Sequence, residues 1–191
     1  MCDMTDEERY KAALKFASEK HEGQYRKGGE PYVTHPIAVS EMLRENGYGT
    51  DYQIAGLFHD LLEDTDATEA EIEELGGKKA LEAVKLLTKK KGYVMSEYVA
   101  GIKANPIAFA VKAADRLHNL KSAFVASEDF RRRYILESID WYMDFSPEIP
   151  KAVKALAESL SIPMYGLDLE YNPVDPNEHL QEGGATVDKK E

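Results

Sequence analysis

Three short stretches of the chain concentrate imidazoles and carboxylates at spacings that can gather around a cation. Pro31-Tyr32-Val33-Thr34-His35-Pro36 places His35 at a helix entrance, and Phe58-His59-Asp60-Leu61-Leu62-Glu63-Asp64-Thr65 closes an apolar run. The third stretch, 111–120, carries Asp115 inside a long, largely apolar helix pattern. Burying His59 beside Asp60 is costly unless something compensates both groups, and a divalent ion would do so. Glu63 follows His59 by four residues and Asp60 by three, while Asp64 is four after Asp60. That spacing sets them on one side of a helix, a turn apart. One helix end thus offers two ligands and, beside them, two carboxylates free to move protons. Each stretch alone has a plainer reading: a solvated His-Asp pair, or an Asp115 partnered by Arg116 or Lys112. Acids recurring inside apolar helices at two places, with a His-Pro junction at a third, favour the metal.

Helical periodicity supplies the frame for these groups. Thr5-Asp6-Glu7-Glu8 fits a capping box, and Ala12, Ala13, Phe16 and Ala17 follow at helical spacing, which predicts a first helix to about His21. Pro36 suits the first residue of a second helix, with Gly47 past its end. Asp51 is the expected cap of a third. Its residues Ile54, Ala55, Leu57, Phe58, Leu61 and Leu62 make it apolar over most of its circumference, hence central. Thr68-Glu69-Ala70-Glu71 is a second capping box, opening a short helix that stops at Gly76-Gly77. Further helices are predicted over 78–87, 96–104, 106–121 and 130–145, and from Ser146-Pro147-Glu148 to about Leu160. Two loops, Gly28-Gly29-Glu30-Pro31 and Lys89-Lys90-Lys91-Gly92, have special backbone chemistry. No convincing strand alternation or long repeat is present. The class is all-α: a compact multi-helix bundle over 1–160, then an acidic tail over 161–191 expected to be extended or disordered.

Composition narrows the possibilities. With 191 residues, 43% of them hydrophobic, a single core can bury roughly 70% of the unfolded surface. No run of ~18 apolar residues is available to span a bilayer, and the acidic start Met1-Cys2-Asp3-Met4-Thr5-Asp6 is not a secretory signal. The single cysteine, Cys2, excludes an internal disulfide and a thiolate cluster, which favours a reducing, cytoplasmic setting. A net charge of −11 argues against broad nucleic-acid binding. It leaves room for a phosphorylated small molecule held by a metal or a local basic cluster. Arg26-Lys27 beside the Gly-Gly loop is one such cluster, since Arg can fork onto a phosphate or stack on a base; alone, the pair reads sooner as an ordinary solvated loop. Tyr142 either contacts a ribose or base or belongs to the core. His21 is read as structural, and His118 and His179 are given no particular role.

His35, the His59-Asp60 pair and Asp115 together resemble the pattern of the HD-domain metal-dependent phosphohydrolases. The blocks 21–27, 31–36, 59–65 and 112–119 are similar, in order and spacing, to the hydrolase domain of RelA/SpoT-type alarmone enzymes, over roughly residues 5–160. The resemblance implies an HD-domain bundle in which His35, His59, Asp60 and Asp115 hold Mn²⁺. A thiolate-free set of imidazoles and carboxylates also admits Fe²⁺, Co²⁺ or Zn²⁺. It further implies Glu63 and Asp64 as the acid/base pair, and Arg26, Lys27, Asn119 and Ser122 as contacts to a guanosine nucleotide. Lys112 would orient Asp115 or reach substrate. The implied reaction removes pyrophosphate from the 3′ position of ppGpp or pppGpp. Residues 88–112 are shorter than in the long bifunctional enzymes, so the chain reads like a stand-alone hydrolase without a synthetase domain. The alternatives are an HD phosphohydrolase for another nucleotide, such as a nucleoside monophosphate, and a non-catalytic nucleotide-binding module. Oligomeric state carries no signature.

Overall fold

In the computed structural model, which describes residues 4–160, the regular secondary structure is helical. The helices are α1 (Asp6–Lys20), α2 (Thr34–Glu45), α3 (Thr50–Phe58), α4 (Leu61–Asp64), α5 (Glu69–Gly76), α6 (Lys78–Leu87), α7 (Met95–Lys103), α8 (Pro106–Ser122), α9 (Glu128–Trp141) and α10 (Glu148–Glu158). A 3-10 turn, Ala123–Val125, follows α8. The expected tail over 161–191 lies outside the described residues, as does His179.

Local chemistry sets most boundaries. Thr5 and Thr68 each accept from the backbone three residues on, and Glu8 and Glu71 return the bond, so both predicted capping boxes form. Asn105 caps α8, with Pro106 as its first residue. Gly77, at φ +82°, turns the chain between α5 and α6 in a conformation that side-chain-bearing residues rarely adopt. Four boundaries differ from expectation. α2 begins at Thr34, so Pro36 is its third residue rather than its first. Gly49, not Asp51, precedes α3, because Asp51 instead receives a 2.8 Å bond from Arg9 of α1. Ser127 caps the ninth helix at Phe130 N–H, so it starts at Glu128 and stops at Trp141, short of Phe145. The apolar run over 51–62 is two helices rather than one.

α3 is the central element. Ile54, Ala55, Gly56, Leu57 and Phe58 are all buried, and α3 packs against α1, α2, α6 and α8. The approach to α2 is close: a Cβ on Gly56 would stand 2.9 Å from Leu43 Cδ1 and 3.3 Å from Ser40 Cα. This seats the end of α3 against the start of α2 and the middle of α8, where the three chemistry-bearing stretches lie.

Candidate metal centre

The interruption between α3 and α4 has a side-chain cause. His59 Nδ1 donates to the Gly56 carbonyl at 2.8 Å, and Asp60 departs from helical backbone at φ −100°, ψ −5°. In an unbroken helix adjacent side chains diverge by about 100°. Here they meet, with His59 Nε2 3.1 Å from Asp60 Oδ2. His35, at the start of α2, brings Nε2 to 3.2 Å from His59 Nε2 and 3.8 Å from Asp60 Oδ2. Asp115, in the middle of α8, places Oδ1 3.1 Å from His35 Nε2 and 3.7 Å from His59 Nε2. His35, His59 and Asp115 are buried and offer donor atoms all within 4.8 Å of one another; Asp60 completes the group from a partly exposed edge.

These distances fit a shared cation. Donors about 2.1 Å from one ion stand roughly 3.0–3.4 Å apart at adjacent vertices of a tetrahedron or octahedron. The orientation of His59 fits as well: the Gly56 carbonyl can only accept, so Nδ1 keeps its proton and Nε2 is the nitrogen that faces inward and would be bared on metal binding. Electrostatics shows the strain of the cluster without an ion. Burial opposes a charged His59, yet Asp60 and Asp115 raise it to about 10. Burial would lift Asp60, but His59 pulls it down to about 2. Burial keeps His35 below its ordinary range. Asp115 lies well below the usual carboxylate range despite its burial, chiefly because of Lys112.

A second layer of side chains holds the cluster. Lys112 Nζ donates to Asp115 Oδ2 at 2.9 Å, leaving Oδ1 toward the histidines. Asn119 Nδ2 donates to Asp115 Oδ1 at 2.6 Å, and its own Oδ1 accepts from Arg26 Nη2 at 3.1 Å. Arg26 also donates to Ser122 Oγ at 3.0 Å. The hairpin-like loop over 24–32 aims Arg26: Arg26 N–H bonds to Glu30 O at 2.8 Å and Tyr32 N–H to Gln24 O at 2.8 Å, with Gly29 at φ +93°. Arg26, Lys27, Tyr32, Asn119, Ser122 and Phe130 help line a cavity of about 340 Å³. Lys27 Nζ sits 3.2 Å over the Phe130 ring centre. Glu63 Oε2 accepts from Lys89 N–H at 3.1 Å, and Asp64 Oδ2 lies 3.1 Å from the Tyr32 hydroxyl; both acids are exposed.

The matching family model is that of the HD domain, over residues 13–147. The chain belongs to the HD-domain family. A guanosine-3′,5′-bis(diphosphate) 3′-pyrophosphohydrolase of Aquifex aeolicus is 35% identical over 143 residues, 71% of this chain and 20% of that protein. The bifunctional (p)ppGpp synthase/hydrolase SpoT of Escherichia coli K12 is 34% identical over 145 residues, 70% of this chain and 21% of that one. The chain therefore spans about a fifth of the length of these curated relatives. A solved metazoan ortholog of SpoT, described as hydrolysing ppGpp with a role in starvation responses, superposes with a TM-score of 0.66 at 24% identity. That match covers 81% of this chain and 97% of the other, and is a likeness of fold.

Two expected positions of this HD domain fall elsewhere than the cavity. Tyr142 is fully buried, its ring 4.0 Å from the Arg116 guanidinium carbon and 5.2 Å from Phe145, so it packs in the core. Lys112 serves Asp115. Two residues at the site escaped the sequence reading. Tyr32 O–H donates to Asp60 Oδ2 at 2.7 Å, and His118 Nδ1 lies 2.8 Å from His35 Nδ1. His118 is three residues after Asp115, one helical turn on, and that spacing is the signal that would have found it. Among the described residues no helix is long and apolar enough to cross a membrane.

Proposed function

We propose that this HD domain is a Mn²⁺-dependent hydrolase of guanosine 3′,5′-bis(diphosphate) and its 5′-triphosphate counterpart, giving GDP or GTP and pyrophosphate, in a cytoplasmic setting. The observation that carries the reading is the convergence of His35, His59, Asp60 and Asp115 at cation-ligand separations. That cluster is joined through Asn119 to Arg26 at the adjoining cavity. The names of the similar proteins supply the substrate class.

A divalent cation supplies charge neutralisation at the phosphate and acidification of a water when bound. His35, His59, Asp60 and Asp115 hold it, with Mn²⁺ suited to imidazole and carboxylate donors. Arg26 and Lys27 meet the negative charge of the nucleotide, and Asn119 and Ser122 contact its nucleoside. Hydrolysis joins the water oxygen to the phosphorus on the ribose 3′ oxygen, breaks that P–O bond, and returns a proton to the ribose oxygen. Glu63 and Asp64, exposed three and four residues after Asp60, take the proton from water and deliver one to the leaving group, a contribution of typically 10²–10⁴-fold.

The decisive experiment is a nucleotide panel on the full chain with and without Mn²⁺. ppGpp should yield GDP and pyrophosphate only with the ion, and Glu63→Gln should lower turnover by roughly 10²-fold or more while ion and nucleotide still bind. Release of inorganic phosphate from nucleoside monophosphates with ppGpp untouched would move the assignment to the other nucleotide class. Nucleotide binding with no turnover of any panel member would leave a binding module.

A further inference from the structure

His35 and His59 are presented to the cluster in different ways. His59 is fixed by a backbone carbonyl, which can only accept a proton. His35 is held through Nδ1 by another imidazole nitrogen, His118 Nδ1, at 2.8 Å. The rings are tilted by 34° with centres 4.9 Å apart. At that separation one proton lies between the two nitrogens, and either ring can own it.

Ownership decides what His35 can do. If the proton is on His35 Nδ1, it is donated to His118, and Nε2 offers a bare lone pair to the space shared with His59 and Asp115. If instead His118 donates, His35 carries its proton on Nε2, pointed at Asp115 Oδ1 3.1 Å away. Both schemes satisfy the hydrogen bond, but only the first leaves a ligand. A carbonyl or carboxylate in place of His118 would lock the first; an imidazole permits both. Such a partner both orients the ring and fixes its tautomer.

We propose that His118 is the positioning residue of His35, setting which ring nitrogen is bare and thereby how tightly a divalent cation is held. This rests on the metal-centre reading above and assigns a duty to a side chain outside the ligand set. His118 is only partly buried and sits near the last turn of α8, so replacing it leaves the core of the bundle intact.

The test measures Mn²⁺ binding to the full chain by electron paramagnetic resonance of the free ion, for wild type, His118→Asn and His118→Leu. Asn can accept from His35 Nδ1 through Oδ1; Leu cannot. The expected result is a loss of about 10–100-fold in affinity for the Leu variant and about threefold or less for the Asn variant. The melting temperatures of the two chelated variants should match each other. Equal affinity for wild type and the Leu variant would overturn the role of His118 while leaving the metal centre standing. Absence of Mn²⁺ binding by wild type would overturn both. A second measurement needs no variant: ¹⁵N imidazole spectra of the Zn²⁺-loaded protein should show His35 protonated at Nδ1. A bare Nδ1 there refutes the proposal.

Discussion

One phenol links the two kinds of carboxylate at the site. Tyr32 O–H reaches Asp60 Oδ2 at 2.7 Å and Asp64 Oδ2 at 3.1 Å. It has a single proton for two acceptors, so it can swing between Asp60, the proposed ligand, and Asp64, the proposed proton carrier. Burial first, and then the charge of Asp60, pushes the phenol above its ordinary range, so Tyr32 remains a donor at neutral pH. The same oxygen of Asp60 faces His59 and His35; removing the phenol frees that carboxylate to rotate away. Tyr32→Phe is expected to lower Mn²⁺ affinity or turnover by about 10–100-fold, the usual cost of losing an outer-shell partner, with the helical circular dichroism unchanged. Mn²⁺ titration of ppGpp hydrolysis checks it, and wild-type kinetics would show that Asp60 holds its place without help. Residue types announced this site well. Histidines and acids in apolar surroundings are expensive, and the expense is visible in a sequence. A tyrosine at a helix entrance costs nothing unusual, so Tyr32 gave no such sign.

At the scale of elements, the junction of α3 and α4 does the positioning, and its geometry depends on how closely α3 lies on α2. Gly56 permits that approach and also lends its carbonyl to His59. Gly56→Ala would press a Cβ toward Leu43 and the backbone of Ser40, and overpacking of this kind costs about 1–3 kcal/mol. The expected outcome in urea denaturation is a loss of that size, accompanied by weaker Mn²⁺ binding because His59 shifts with α3. An unchanged midpoint would mean that Leu43 yields freely. The elements themselves were legible where caps mark them, as at Thr5, Thr68 and Pro106. They were not legible at His59. The apolar pattern from Ile54 to Leu62 reports burial and says nothing of a backbone bond diverted to a side chain. Nor does the run from Phe130 to Phe145 report that the helix ends at Trp141 and sends Tyr142 into the core. The first break turns on a side-chain bond only three residues long, which hydrophobic periodicity does not encode; the second involves Arg116 of α8, which no local window contains.

For the molecule as a whole, the question is what a net charge of −11 does with two clustered carboxylates, one of them buried, that have Lys112 as their ammonium partner. Without a cation the answer is a proton on His59, raised to about 10 against its burial by Asp60 and Asp115. A folded-state value above the unfolded ~6.5 means that this stabilisation is complete below about pH 6.5 and disappears as pH climbs toward 10. Asp60, brought down to about 2 by His59 against its burial, adds stability above about pH 4 that is lost on acidification toward 2. A divalent ion requires the bare nitrogen and expels the His59 proton, so its affinity rises through the window in which the chelated protein weakens. Loaded and chelated stabilities must therefore diverge from about pH 6 to pH 8. With free Mn²⁺ about 100-fold above its dissociation constant, the ion contributes about 2.7 kcal/mol. For a chain of this size that is a rise of roughly 5–10 °C in Tm. The rise should be larger at about pH 8 than at about pH 6 for the same free Mn²⁺, and calorimetry in buffers of different ionisation enthalpy should count about one proton released per ion bound. A shift that is equal at both pH values, with no proton released, would mean that His59 is already neutral before the ion arrives. The charge balance of the cluster would then rest on Lys112 alone.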